Sequence, residues 1–154
     1  MSLSAPDLTA TQPAAALATP ADLPEVLLID DEIPFRELIA HFLRTHGYRV
    51  HEAGDGEQAL RFLSGHPVGI IVSDVCMPEC DGIELLTRLR RQRPKCGIIV
   101  MSGGMAGRAM SGGPALFLKM AQALGAHHTI AKPFPLDRLL ELVRSAQPGA
   151  LETR

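Results

Sequence analysis

Gly69-Ile70-Ile71-Val72-Ser73-Asp74 is a continuous apolar run that ends in a hydroxyl and a carboxylate. Unbroken apolarity rich in β-branched residues fits a strand covered on both faces, the environment of a parallel sheet. Two further runs have the same form. Val26-Leu27-Leu28-Ile29 leads into Asp30-Asp31, and Gly97-Ile98-Ile99-Val100 leads into Met101-Ser102. Arg49–Ala53 and Thr129–Ala131 are shorter, more polar strand candidates.

Helical patterns fill the intervals. Phe35, Leu38, Ile39, Phe42 and Leu43 recur at helical spacing, and Gly47 follows where a left-handed cap belongs. Glu57–Ser64 reads as a short helix ending before Gly65. Asp81 can cap a helix carrying Leu85, Leu86 and Leu89, which Pro94 stops. Phe117, Met120, Ala121 and Leu124 form a stripe closed by Gly125, and Leu136, Leu139, Leu140 and Val143 form another entered through Pro135. Strand and helix thus alternate five times. The spacing, about 20–30 residues per unit, suits crossovers between parallel strands. The expected fold class is α/β, a doubly wound five-stranded parallel sheet with helices on both faces.

The ends read differently. Residues 1–24 are dominated by Ala, Thr, Ser and Pro, with Pro6, Pro13, Pro20 and Pro24 interrupting regular structure, and are expected to be a tail. One domain is expected over 25–146, with 147–154 as a C-terminal tail and no second domain. A chain of 154 residues fits that organisation.

Composition excludes several classes. With 46% hydrophobic and 21% charged residues, the chain is too apolar to be disordered. A formal net charge of -2 gives no bulk grip on nucleic acid. The basic cluster Arg88, Arg90, Arg91, Arg93 and Lys95 has no interleaved aromatics and reads as a solvated face. No apolar run approaches the ~18 residues of a membrane span. The first basic residue is Arg36, so the N-terminus lacks the positive region of a signal peptide. Three cysteines without framework spacing fit a reducing compartment, so a cytoplasmic location is expected.

In open parallel sheets, sites form beyond the carboxyl ends of the strands. The residues there are Asp30-Asp31, Ser73-Asp74, Ser102 and Lys132-Pro133. Carboxylates ~4 Å apart repel by about 4 kcal/mol per pair at an effective dielectric of about 20. A divalent cation relieves this, and an all-oxygen set selects Mg²⁺. One carboxylate can attack phosphorus to form an aspartyl phosphate. An ammonium at Lys132 and a hydroxyl at Ser102 can then meet the charge on the phosphoryl oxygens.

The segments Leu28–Glu32, Asp74–Gly82, Val100–Gly103 and Lys132-Pro133-Phe134 fall in order at successive strand ends. With them, residues 25 to 146 resemble the receiver domain of two-component response regulators. The resemblance implies the flavodoxin-like strand order 2-1-3-4-5. It implies Asp74 as phosphoacceptor, with Asp31 binding Mg²⁺ directly, Asp30 through water, and the Cys76 backbone carbonyl as the third protein ligand. Ser102 and Lys132 would contact the phosphoryl group, and the Lys132–Pro133 bond would be cis. Two features depart from the family. Thr129 stands where a switch Tyr or Phe is usual. The connection Gly103–Gly113 carries five glycines and exceeds the usual ~2–6 residues, so it is either a tolerated insertion or a mobile flap.

The expected function is a stand-alone receiver, not an enzyme beyond its own phosphoryl transfer and autodephosphorylation. Its donor would be a histidine kinase or histidine phosphotransfer protein. It would act by binding a downstream protein or by relaying the group, without nucleic acid or membrane. A phospho-independent adaptor of this fold is the first alternative, disfavoured by the intact set of acids with Ser102 and Lys132. A Mg²⁺-dependent phosphohydrolase is the second, disfavoured because its Asp-x-Asp pattern is replaced by Asp74-Val75-Cys76. Cys76, Cys80, His127 and His128 could instead ligate a soft metal, but adjacent histidines of a strand point to opposite faces.

Overall fold

Five short strands, β1 (Val26–Ile29), β2 (Val50–Ala53), β3 (Ile70–Asp74), β4 (Gly97–Ser102) and β5 (His128–Ala131), pair in parallel in the order β2-β1-β3-β4-β5. The chain alternates them with α1 (Ile33–Thr45), α2 (Gly56–Gly65), α3 (Gly82–Gln92), α4 (Gly113–Ala123) and α5 (Leu136–Ser145). The computed structural model describes residues 22–75, 77, 82–92, 95–103 and 113–148.

Every residue of β1, β3 and β4 is buried, as the unbroken apolar runs require. The strand period of two divides them between two cores. Leu27, Ile29, Ile71, Ile98 and Val100 pack with Leu60, Leu63, Leu85, Leu89, Phe117 and Ala121 of α2, α3 and α4. Val26, Leu28, Ile70, Val72, Ile99 and Met101 pack with Ile39, Leu43, Leu139 and Val143 of α1 and α5. The edge strands β2 and β5 keep polar residues partly exposed.

Two helices end as expected. Gly47 follows α1 at φ 90°, and Gly125 follows α4 at φ 101°, both in the left-handed region that closes a helix. The helical stripes are wider than the contacts they make. In α1, Ile39 and Leu43 are buried, whereas Leu38 faces solvent. Leu124 lies one residue past α4 and is exposed as well. Packing also continues slightly past residues 25 and 146. Leu23 lies against the α1 and α5 core, and Gln147 Nε2 donates to the Tyr48 hydroxyl at 3.0 Å. The remaining terminal residues, 1–21 and 149–154, lie outside the described residues.

At the opposite end of the sheet from the strand carboxyl termini, His127 stands in for part of the β4–β5 ladder. Its N–H donates to the Ile98 carbonyl at 2.8 Å, and its Nδ1 accepts from the Ile98 N–H at 3.0 Å. The second bond requires an unprotonated Nδ1. Burial, then the nearby charges of Arg90 and His128, holds this imidazole below its ordinary value of 6.5. The unfolded chain therefore takes up this proton more readily than the folded one. His127 contributes stability above pH 6.5 that is lost as pH falls through the depressed folded value. In urea titrations, His127→Ala is expected to weaken the fall in stability on acidification through this window. An unchanged pH profile in the variant would refute this.

Candidate functional site

Parallel strands deliver their carboxyl ends to one rim, and the register decides which residues meet there. Ile29 lies opposite Ser73, Asp74 opposite Met101, and Ser102 opposite Ala131. Asp30 and Lys132 directly follow their strands, while Asp74 and Ser102 end theirs. Backbone pairing carries β3 on through Ser73 and Asp74 and β4 on through Met101 and Ser102.

Asp30 is completely buried. Its Oδ1 accepts from the Glu32 N–H at 2.9 Å and its Oδ2 from Lys132 Nζ at 2.9 Å. Lys132 Nζ also donates to Asp74 Oδ2 at 2.8 Å. Asp31, on the turn into α1, is exposed. One carboxylate oxygen from each of Asp30, Asp31 and Asp74 lies within 4.8 Å of the others. The structure thus brings together the three acids and Lys132.

The electrostatics follow from enclosure. Burial raises the Asp30 carboxyl above its ordinary range, and the Asp74 charge adds to this; hydrogen bonds from Lys132 and the Glu32 N–H only partly oppose it. Burial alone would lower the Lys132 ammonium, but its bonds to Asp74 and Asp30 outweigh that and raise it. Lys132 therefore remains charged at neutral pH and contributes stability that disappears only as pH rises through its elevated folded value.

Ser102 is buried, and its Oγ has no hydrogen-bond partner among the described residues. A buried hydroxyl left in this state costs about 1–3 kcal/mol. Three carboxylates against one ammonium leave an excess of negative charge in an all-oxygen set. That donor chemistry fits Mg²⁺. Thr129 is half-buried on β5, paired with Val100. The Lys132–Pro133 peptide bond is cis. Cys76, Cys80 and residues 104–112 lie outside the described residues. The Nδ1 of His127 already accepts from Ile98, which removes it from a soft-metal site.

Two neighbours escaped sequence reasoning. Arg36 Nη1 donates to the Asp30 carbonyl oxygen at 2.7 Å, and Arg36 Nε to Glu52 Oε1 at 3.3 Å, tying the acidic turn to β2. The Phe35 ring lies under Lys132, with Nζ 4.3 Å from its centroid. No pattern in the sequence marks either residue as part of the site, since both fall in the first turns of α1 among ordinary helix positions.

Comparison with known proteins agrees with this geometry. Residues 26–144 match the response regulator receiver domain. The chain belongs to this family of two-component signalling modules, whose acidic pocket generally binds Mg²⁺. It is 32% identical over 131 residues to the protein named Probable chemotaxis protein CheY of Rhizobium etli, covering 83% of this chain and 95% of that protein. It is 35% identical over 121 residues to the transcriptional regulatory protein FixJ of Bradyrhizobium diazoefficiens, covering 79% of this chain and 55% of FixJ. The chain therefore spans about half the length of FixJ. Among solved structures, the receiver domain of NtrX from Brucella abortus is similar at a TM-score of 0.70 and 28% identity, covering 84% of this chain and 100% of that one. Among the described residues, no helix is long and apolar enough to cross a membrane.

Proposed function

We propose that this chain accepts a phosphoryl group on Asp74 and signals in that state. The observation that carries this reading is the Lys132 ammonium held between the carboxylates of Asp30 and Asp74, at 2.9 and 2.8 Å. The Ser102 hydroxyl, buried and without a hydrogen-bond partner among the described residues, supports it.

A carboxylate oxygen of Asp74 attacks phosphorus as the bond to the donor breaks, and the leaving group departs with its electron pair. Lys132 shifts an N–H from Asp74 to a phosphoryl oxygen, and the Ser102 hydroxyl donates to another. Asp31, Asp74 and, through water, Asp30 would hold Mg²⁺, with the Cys76 carbonyl completing the protein ligands. When bound, that cation would offset both the crowded acids and the charge of the transferring group.

The donor in this reading is the phosphohistidine of a histidine kinase or phosphotransfer protein in the cytoplasm. The output is binding of a downstream protein or onward relay, with no nucleic acid or membrane involved. Thr129 is too short to fill and vacate a ring-sized pocket, so the response is carried by other residues near Ser102. A phosphohydrolase is disfavoured because Cys76 offers no second carboxyl for general acid catalysis.

The reading is tested by intact-mass analysis after exposure to phosphoramidate and Mg²⁺. One phosphoryl group is expected, removable by hydroxylamine as an acyl phosphate is. Release of inorganic phosphate at many turnovers with no labelled protein would favour the phosphohydrolase instead.

A further inference from the structure

The Phe35 ring packs against the α1 and α5 core and also reaches the functional site. Lys132 Nζ has three N–H groups. Two are directed to Asp30 Oδ2 and Asp74 Oδ2, at 2.9 and 2.8 Å. The Phe35 ring covers the same nitrogen, with its centroid 4.3 Å away. A ring at this distance attracts an ammonium through its quadrupole. The ring is itself fixed. It meets Phe134 edge-on, with centroids 5.9 Å apart and planes inclined at 68°. Phe134 lies two residues after Lys132, so α1 and the β5–α5 connection grip the lysine together.

We infer that Phe35 is a positioning residue for phosphoryl transfer, holding the Lys132 ammonium in place beside Asp74. This rests on the phosphoacceptor reading above and deepens it. Lysine has a flexible stem and loses much rotamer freedom when fixed. An uncharged ring restrains the ammonium without accepting the strong hydrogen bonds that a phosphoryl oxygen must take. It also keeps water from one side of the charge, which strengthens the ammonium's interaction with charge developing on the phosphoryl group. A carboxylate in place of the ring would compete with the phosphoryl oxygen, and an aliphatic side chain would pack but not attract.

That distinction defines the experiment. Phosphoryl uptake from phosphoramidate with Mg²⁺ is timed by intact mass for wild type, Phe35→Tyr, Phe35→Leu and Phe35→Ala. Tyr keeps the ring and is expected to label at nearly the wild-type rate. Leu keeps apolar packing but loses the quadrupole, and is expected to slow labelling as Ala does, by roughly 3- to 30-fold, the range for losing one cation–π contact. The second readout needs no phosphodonor. The chain has three lysines, Lys95, Lys119 and Lys132. In proton NMR, the ε-methylene resonance of Lys132 is expected upfield of the other two because of the ring current, and to return to the common position in Phe35→Leu. Wild-type labelling rates in Phe35→Leu, or an unshifted Lys132 resonance in the wild type, would overturn the inference. If the wild type takes no label, the phosphoacceptor reading falls instead, and the NMR shift still decides whether the ring holds the lysine.

Discussion

Lys132→Met is expected to destabilise the Mg²⁺-free protein by about 3 kcal/mol at neutral pH, the low end of the cost of removing one partner from a buried ion pair. Met preserves much of the apolar stem and removes the charge. Asp30, whose side chain is wholly buried, then loses its counter-ion among the described residues, and Asp74 Oδ2 loses its bond to the ammonium. The low end applies because Lys132 retains 16% side-chain exposure, so water screens part of the loss. The sign of the pH dependence follows from Asp30. Its carboxyl is already raised above the ordinary value of 3.8 by burial. Without the ammonium it rises further. A raised carboxyl favours the folded state below its unfolded value and loses that contribution as pH rises through the folded value. The gap between wild type and variant should therefore narrow as pH falls. Urea titrations at neutral and mildly acidic pH measure this. Equal midpoints at neutral pH would mean that the acids are not held by Lys132.

The second large effect is stabilisation by Mg²⁺. The unfolded chain has no assembled trio of acids, so a cation binding the folded state adds about 2.7 kcal/mol at a hundredfold excess over its Kd. For a domain of this size that corresponds to roughly 5–10 °C in melting temperature. Asp31→Asn is the informative variant, because Asp31 is exposed whereas Asp30 is buried and committed to Lys132 and the Glu32 N–H. It should remove most of the Mg²⁺ response while leaving the metal-free melting temperature equal or slightly higher, since a repelling charge is gone. Scanning calorimetry with and without millimolar Mg²⁺ reads both. A wild-type melting curve unmoved by Mg²⁺ would contradict the metal assignment.

The central strands were readable because burial on both faces leaves a signature in consecutive residues. Val26–Ile29 is four apolar residues in the sequence and four buried residues in β1. Edge strands carry a weaker signature. β5 begins at His128, a polar residue that the pattern of Thr129–Ala131 left out. Strand order came from the resemblance, since periodicity identifies strands without ordering them. Helical stripes identified α1 and α4 but overstated their cores at Leu38 and Leu124, which spacing alone cannot separate from buried neighbours.

The site was legible for a related reason. Each polar group closes a strand, and parallel strands bring such groups to one rim. Phe35 was not legible as part of it. Its spacing is that of an ordinary core residue, and its contact with Lys132 exists only because α1 and the β5–α5 connection meet across 97 residues of chain (132 minus 35). Arg36 escaped in the same way, because it grips the Asp30 main chain rather than a side chain that a pattern could pair with it.

The most direct test asks which residue carries the phosphoryl group. Protein labelled with phosphoramidate and Mg²⁺ is reduced with borohydride, which converts a phosphorylated aspartate to homoserine, then digested and sequenced by mass spectrometry. Homoserine is predicted at position 74 and at no other acid, with no label on the Asp74→Asn variant. Homoserine elsewhere in the wild type, or equal labelling of Asp74→Asn, would contradict the assignment of Asp74 as phosphoacceptor.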